Sequence, residues 1–182
     1  ITIGAGAGVI TLTQAANNFR GAVALTNSGV NAVAITDTDA IDFGASSLGT
    51  STFTVIAGGA ITQTGGALTV PGASSFTTGG AAITLTQGAN DFTGAVSLTN
   101  TGAFNIAVTD TNALVTGTIS MGAASAGTLT ITCVGLTQNG ATTITTGTGA
   151  VTIGAGAGVI TLTNNNDFNG SVSLTNTGAN AV

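Results

Sequence analysis

The sequence predicts an all-β fold: a right-handed parallel β-helix of roughly eight rungs, with no helices. Three observations predict it. The chain repeats itself, since "ITLTQAANNFRGAVALTNSGVNAVAITDTDAI" from Ile10 returns as "ITLTQGANDFTGAVSLTNTGAFNIAVTDTNAL" from Ile83 and begins again as "ITLTNNNDFNGSVSLTNTGANAV" from Ile160. A long internal period signals units stacked along one axis. Short runs alternate apolar and small polar residues with period two, which marks strands with one buried face. Finally, 4% of residues are charged while 37 are Thr and 29 are Gly. Rungs stacked about 4.8 Å apart would set like charges against each other, whereas Thr, Ser, Asn and Ala tolerate the arrangement.

The repeat fixes the organisation. Ile10, Ile83 and Ile160 are 73 and 77 residues apart, and "ITIGAGAGVITLT" at Ile1 returns as "VTIGAGAGVITLT" at Val151, 150 residues on. The protein therefore reads as a single β-solenoid segment, 1–182, with internal repeats 10–82, 83–159 and a partial 160–182 inside a 150-residue super-repeat. Strands recur about every ten residues, a spacing that fits rungs of roughly 20 to 24 residues, about seven per super-repeat. Both ends fall inside a repeat, and the segment is expected to belong to a longer protein. No signal peptide is expected within this stretch, which says nothing about secretion of the longer protein.

In sequence order, "ITLT" sets Ile10 and Leu12 on one face and Thr11 and Thr13 on the other. Val23 and Leu25 alternate with Ala24 and Thr26, and Val33 and Ile35 with Ala34 and Thr36. Further strands are expected at 40–43, 52–57, 60–64, 67–70, 74–77, 83–86, 95–99, 105–109, 114–121, 128–134, 142–146, 151–153, 159–163 and 171–175. Between them lie turn sequences such as "TNSG", "AGG", "TNTG" and "TQNG", whose Asn and Gly suit sharp corners. Pro71 sits in one such turn, where its missing N–H does no harm. The corner N-x-F-x-G recurs at Phe19, Phe92 and Phe168, and each Phe is expected to tuck into the core. A sandwich or barrel would not need the long repeat. A left-handed β-helix would show a hexapeptide pattern, and parallel crossovers default to the right-handed coil.

Composition excludes several functions. Arg20 is the only base against six Asp, and the net charge is −5. A protein of that balance does not neutralise phosphates, so neither nucleic acid nor an anionic membrane is an expected partner. No apolar run reaches 18 residues, so no membrane insertion is expected. Cys133 is alone and sits at an apolar strand position, where it reads as a small buried hydrophobe.

Catalysis has few groups to draw on, because His, Glu, Lys and Tyr are all missing from the sequence. The strongest cluster is Asp37, Asp39 and Asp42 in "TDTDAID", but the second copy carries Asp110, Asn112 and Val115 there. Turn-forming Asp explains the triplet better than acid–base chemistry. No catalytic or cofactor-binding residue is assigned, no cofactor is expected, and the protein is read as not an enzyme. Asp37 and Asp39, oxygen donors two apart beside a turn carbonyl, are the metal candidates, for Ca²⁺. Thr-x-Thr pairs beginning at Thr11, Thr36, Thr62, Thr84 and Thr109 recur near one rung apart and raise ice binding, against the plainer reading of outward polar residues.

"NDFTGAVSLTNTG", "NAVAITDTDAI" and "AGGAITQTGGALTV" resemble the filamentous-haemagglutinin-like adhesins and autotransporter-type passenger domains of bacteria. The resemblance covers essentially the whole sequence and rests on texture rather than on a binding motif. It implies an extracellular or cell-surface right-handed β-helix acting as stalk, adhesin, fibre or biofilm-matrix filament. The expected function is a structural segment of a large repeat adhesin. The expected partners are the protein's own continuation or copies stacked head to tail through open ends, with host or matrix glycans as a further class. The alternatives are an ice-binding β-helix and one that binds or degrades polysaccharide.

Overall fold

In the computed structural model, which describes residues 1–122, 124–180 and 182, every described strand pairing is parallel. Alternation dictates the local structure. Val33–Asp37 and Val96–Asn100 both show buried residues at every second position, as a strand with one face in the core must. The backbone winds as a β-solenoid of about eight turns, with no helix among the described residues.

Two sheets run along the axis. The first stacks Thr2–Gly4, Ala24–Thr26, Ile41–Ser47, Ile61–Val70, Ile83–Leu85, Ile106–Thr109, Leu129–Thr132, Val151–Gly154 and Val172–Thr175, in that order. The second stacks Ile10–Leu12, Val33–Asp37, Phe53–Ala57, Ser74–Thr78, Val96–Asn100, Leu114–Met121, Ile144–Thr146 and Asp167–Phe168. Two short strands flank these paths: Asp91–Phe92 beside Ile61–Val70, and Leu136–Gln138 beside Leu114–Met121. Partner residues in adjacent rungs lie from 20 apart (Ile41 and Ile61) to 25 apart (Ile119 and Ile144).

The stacking is residue on residue. Ile61, Ile83, Ile106, Leu129 and Val151 follow one another in register up the first sheet, each at most 1% exposed. Phe43, Phe53, Phe76 and Phe92 form an edge-to-face series with ring centroids 5.7, 5.5 and 6.2 Å apart, all buried. Each aromatic pair adds roughly 0.5–1.5 kcal/mol beyond its buried area. Of the three corner phenylalanines, Phe92 is fully buried, while Phe19 and Phe168 are partly buried against the core.

The repeat and the rung are out of step by half a turn. The "ITLT" strand lies in the second sheet at Ile10–Leu12 and in the first sheet at Ile83–Leu85. Likewise Val33–Asp37 is in the second sheet and its counterpart Ile106–Thr109 in the first. The 150-residue super-repeat spans seven steps of the first sheet, from Thr2–Gly4 to Val151–Gly154. Each copy is thus three and a half turns, and successive copies present the same sequence on opposite faces.

Several strands differ from expectation. The runs at 60–64 and 67–70 join into one strand, Ile61–Val70, whose pairing with Ile41–Ser47 slips twice around Gly44. The slips absorb two extra residues as bulges, with Gly66 at φ +140°. Asp91–Phe92 and Asp167–Phe168, parts of expected corners, are short strands. The expected strand at 159–163 is reduced to one bridge, Ile160 with Leu136.

Candidate functional site

Asp37 and Asp110 sit where strands end and the backbone must turn. Asp37 closes Val33–Asp37 and is 2% exposed. Its Oδ1 accepts the N–H of Asp39 at 3.0 Å, a side-chain turn of the kind Asp favours. Its Oδ2 accepts the N–H of Phe19 at 3.0 Å. Asp110, 73 residues on, does the same for the next corner, its Oδ1 accepting the N–H of Phe92 at 3.1 Å. The Oδ2 of Asp110 is buried without a partner among the described residues. Burial pushes the pKa of Asp110 up, and the Asp91 carboxylate adds to that, against bonds from the Phe92, Asn112 and Thr111 amides.

Beside each corner an acid and an amide bond across rungs. The Nδ2 of Asn18 donates to Oδ2 of Asp39 at 2.7 Å, and the Nδ2 of Asn112 donates to Oδ1 of Asp91 at 3.0 Å. Positions 18 and 91 correspond, as do 39 and 112, so the acid and the amide have changed places while the bond is kept.

Asp42 belongs to a different element. It lies in Ile41–Ser47 of the first sheet and accepts from the Thr62 hydroxyl and the Thr64 amide, each at 2.9 Å, and from the Thr64 hydroxyl. Burial opposes ionisation there, but these bonds outweigh it and the pKa is lowered. The sequence triplet is therefore split: Asp37 and Asp39 shape one corner, and Asp42 braces the bulged start of Ile61–Val70. The metal candidates Asp37 and Asp39 meet backbone and amide N–H groups. Among the described residues no group of three or more His, Cys, Asp or Glu is gathered where it could hold a metal ion.

Cys133 is buried, and burial raises its thiol to about 11. A thiol held protonated is a poor nucleophile, and its place in the core is the one its apolar strand suggested.

Sequence reasoning missed the buried amides. Gln63 and Asn90 bond reciprocally at 2.5 and 3.0 Å, and Oδ1 of Asn90 also takes the Leu68 N–H at 2.9 Å. Gln138 and Asn166 repeat the pair at 2.8 and 3.1 Å, with the Ile144 N–H at 2.9 Å. Asn27, Asn100 and Asn176 each accept the N–H two residues on. The signal was the return of the asparagines in successive copies, two residues before the corner Phe at Asn90 and Asn166 and eight after it at Asn27, Asn100 and Asn176.

A shallow polar groove of about 240 Å³ lies on the second sheet, crossing Thr54, Ser75, Ser97, Thr118 and Asn139. Thr54, Ser75 and Ser97 are partners in register. Gly117 opens the floor, since a Cβ there would meet Ser97 Oγ at 2.2 Å. The half-turn offset places a counterpart column, Thr130, Thr152 and Ser173, on the first sheet. The Thr-x-Thr series divides between the sheets, with Thr11 and Thr36 on the second and Thr62, Thr84 and Thr109 on the first. Ile56, 48% exposed, interrupts the column between Thr36 and Thr77.

Stacked parallel rungs with side chains bonded along the axis define a β-solenoid repeat protein. The chain belongs to the family described as Repeats of unknown function (DUF5649), whose model matches residues 1–26, 30–99 and 103–175. The gaps at 27–29 and 100–102 fall on the turns of Asn27 and Asn100. No curated protein and no solved structure matches it. No helix among the described residues is long and apolar enough to cross a membrane.

Proposed function

We propose that this protein is a non-enzymatic structural segment: a stiff spacer within a long extracellular repeat protein, working as the stalk or fibre of a bacterial adhesin. The observation that carries this is where its polar side chains go. Asp37, Asp110, Asn90 and Asn166 are turned inward and tie one rung to the next. Its partners are the neighbouring rungs of the same molecule or a second copy paired on an open end, where unpaired strand edges invite such pairing. Small-angle scattering on proteins carrying one, two and three super-repeats tests the spacer. Seven rungs of about 4.8 Å should lengthen the rod by about 34 Å per super-repeat. A particle that grows in width, or stays constant in length, refutes it. Antibody labelling of intact cells tests the location, and internal-only labelling would refute it.

The groove favours a second reading, in which the faces hold a neutral glycan. Its hydroxyls and amide can exchange hydrogen bonds, and Thr54, Ser75, Ser97, Thr118 and Asn139 carry no charge. Loss of glycan retention on Ser97→Leu, with melting unchanged, supports that reading, and unaltered retention removes it.

A further inference from the structure

The sequence contains two Asn-Gly dipeptides, Asn139-Gly140 and Asn169-Gly170. The fold treats them differently. Asn139 is exposed on the turn leading from Leu136–Gln138, and among the described residues no hydrogen bond reaches its carboxamide. Gly140 has φ +57°, and nothing lies within 4 Å of where its Cβ would be. The turn is held by its ends, through Thr142 N–H to Asn139 O at 3.2 Å and Asn164 Nδ2 to Gly140 O at 2.7 Å. Asn169, by contrast, donates its Nδ2 to Thr146 O at 3.0 Å. Gly170 is pressed onto the rung below, a Cβ there standing 2.0 Å from Gly149 O.

We infer that Asn139 is a site of spontaneous modification, converting to aspartate and isoaspartate in the folded protein while Asn169 is protected. The backbone nitrogen of Gly140 loses its proton and attacks Cγ of Asn139. A new bond forms between that nitrogen and Cγ, the bond from Cγ to Nδ2 breaks, and ammonia leaves a five-membered imide. Water then opens the ring at either carbonyl, so the net change is asparagine plus water to acid plus ammonia. Glycine permits the attack because it has no side chain and the backbone can rotate. Asn139 lines the groove together with Ser97 and Thr118. The product places a carboxylate beside those uncharged side chains and takes the net charge from −5 to −6, one acid being added.

The test is ageing of the folded protein in mildly alkaline buffer, followed by peptide mapping that distinguishes aspartate from isoaspartate. A denatured sample run in parallel gives the intrinsic rate of each dipeptide. The expected result is at least a tenfold excess of acid at 139 over 169 in the folded protein, collapsing to near parity when denatured. Asn139→Gln should abolish the charge variant seen on isoelectric focusing. Equal rates at the two sites in the folded protein, or no acid at 139 when the denatured control reacts, would overturn the inference.

Discussion

The amide of Phe92 donates to Oδ1 of Asp110, 18 residues further on and one rung higher, at 3.1 Å. Phe19 and Asp37 stand in the same relation, at the same separation and 3.0 Å. A corner that drives Phe into the core strands its own N–H away from water, and the buried carboxylate above supplies the acceptor. Leaving a buried donor unpaired costs about 1–3 kcal/mol. Asp37→Ala should therefore lose about that much, and more than Asp39→Ala, since Asp39 is exposed and its carboxylate bonds a side-chain amide. Urea unfolding of both variants decides it, and equal losses would remove the corner role.

The two buried or braced acids should respond to pH in opposite senses. Asp42 has a lowered folded pKa, so its stabilisation is present above the unfolded value of about 3.9 and is lost as pH falls through the folded one. Asp110 has a raised folded pKa, so its favourable state is fully present below about 3.9 and is lost as pH rises through the folded value. Relative to the parent protein, Asp110→Asn should gain stability as pH rises above about 4, while Asp42→Asn should lose it as pH rises from strongly acid values up to about 4. Unfolding midpoints measured across acid pH for the three proteins give the two slopes, and parallel curves would contradict both shifts.

The reciprocal amides make the strongest local demand. Asn90 satisfies Gln63 and the Leu68 N–H at once, inside the core. Asn90→Leu should cost about 2–4 kcal/mol, because two buried polar partners lose their bonds together. Gln63→Leu combined with it should recover part of the loss, since the pair is then removed whole. A double-mutant cycle measures the coupling, and strict additivity would show that the two amides act separately.

Much of this is legible because period and alternation are written directly in residues. Ile10, Ile83 and Ile160 mark the copies, and alternation places Val33, Ile35, Leu98 and Ile131 inside, where all are at most 2% exposed. Seven rungs in two copies imply three and a half turns each, yet the change of face goes unseen, because sequence similarity carries no label for which sheet a strand joins. Asp37 reads as turn chemistry or a metal candidate. Its second bond runs to Phe19, whose proximity depends on the rung length, and no local pattern contains that. The expected strand at 159–163 keeps one bridge among the described residues, Ile160 with Leu136 on the rung below.

The same motif in different rungs offers the sharpest test of stacking. Leu98 in "AVSLTN" is fully buried between Phe76 below and Ile119 above, whereas Leu174 in "SVSLTN" is 39% exposed on the last described strand, over Ile153. Burying a leucine removes apolar surface from water, and truncating one inside a packed column leaves a cavity. Leu98→Ala should therefore destabilise the protein by about 2–5 kcal/mol, and Leu174→Ala by less than about 1 kcal/mol, in keeping with its partial exposure. If the solenoid continues by adding rungs, lengthening the protein by one super-repeat beyond Val182 should raise the cost of Leu174→Ala toward that of Leu98→Ala. Thermal unfolding of both variants in both lengths separates the cases. A Leu174 cost that ignores the added rungs would mean that new sequence does not stack on this end.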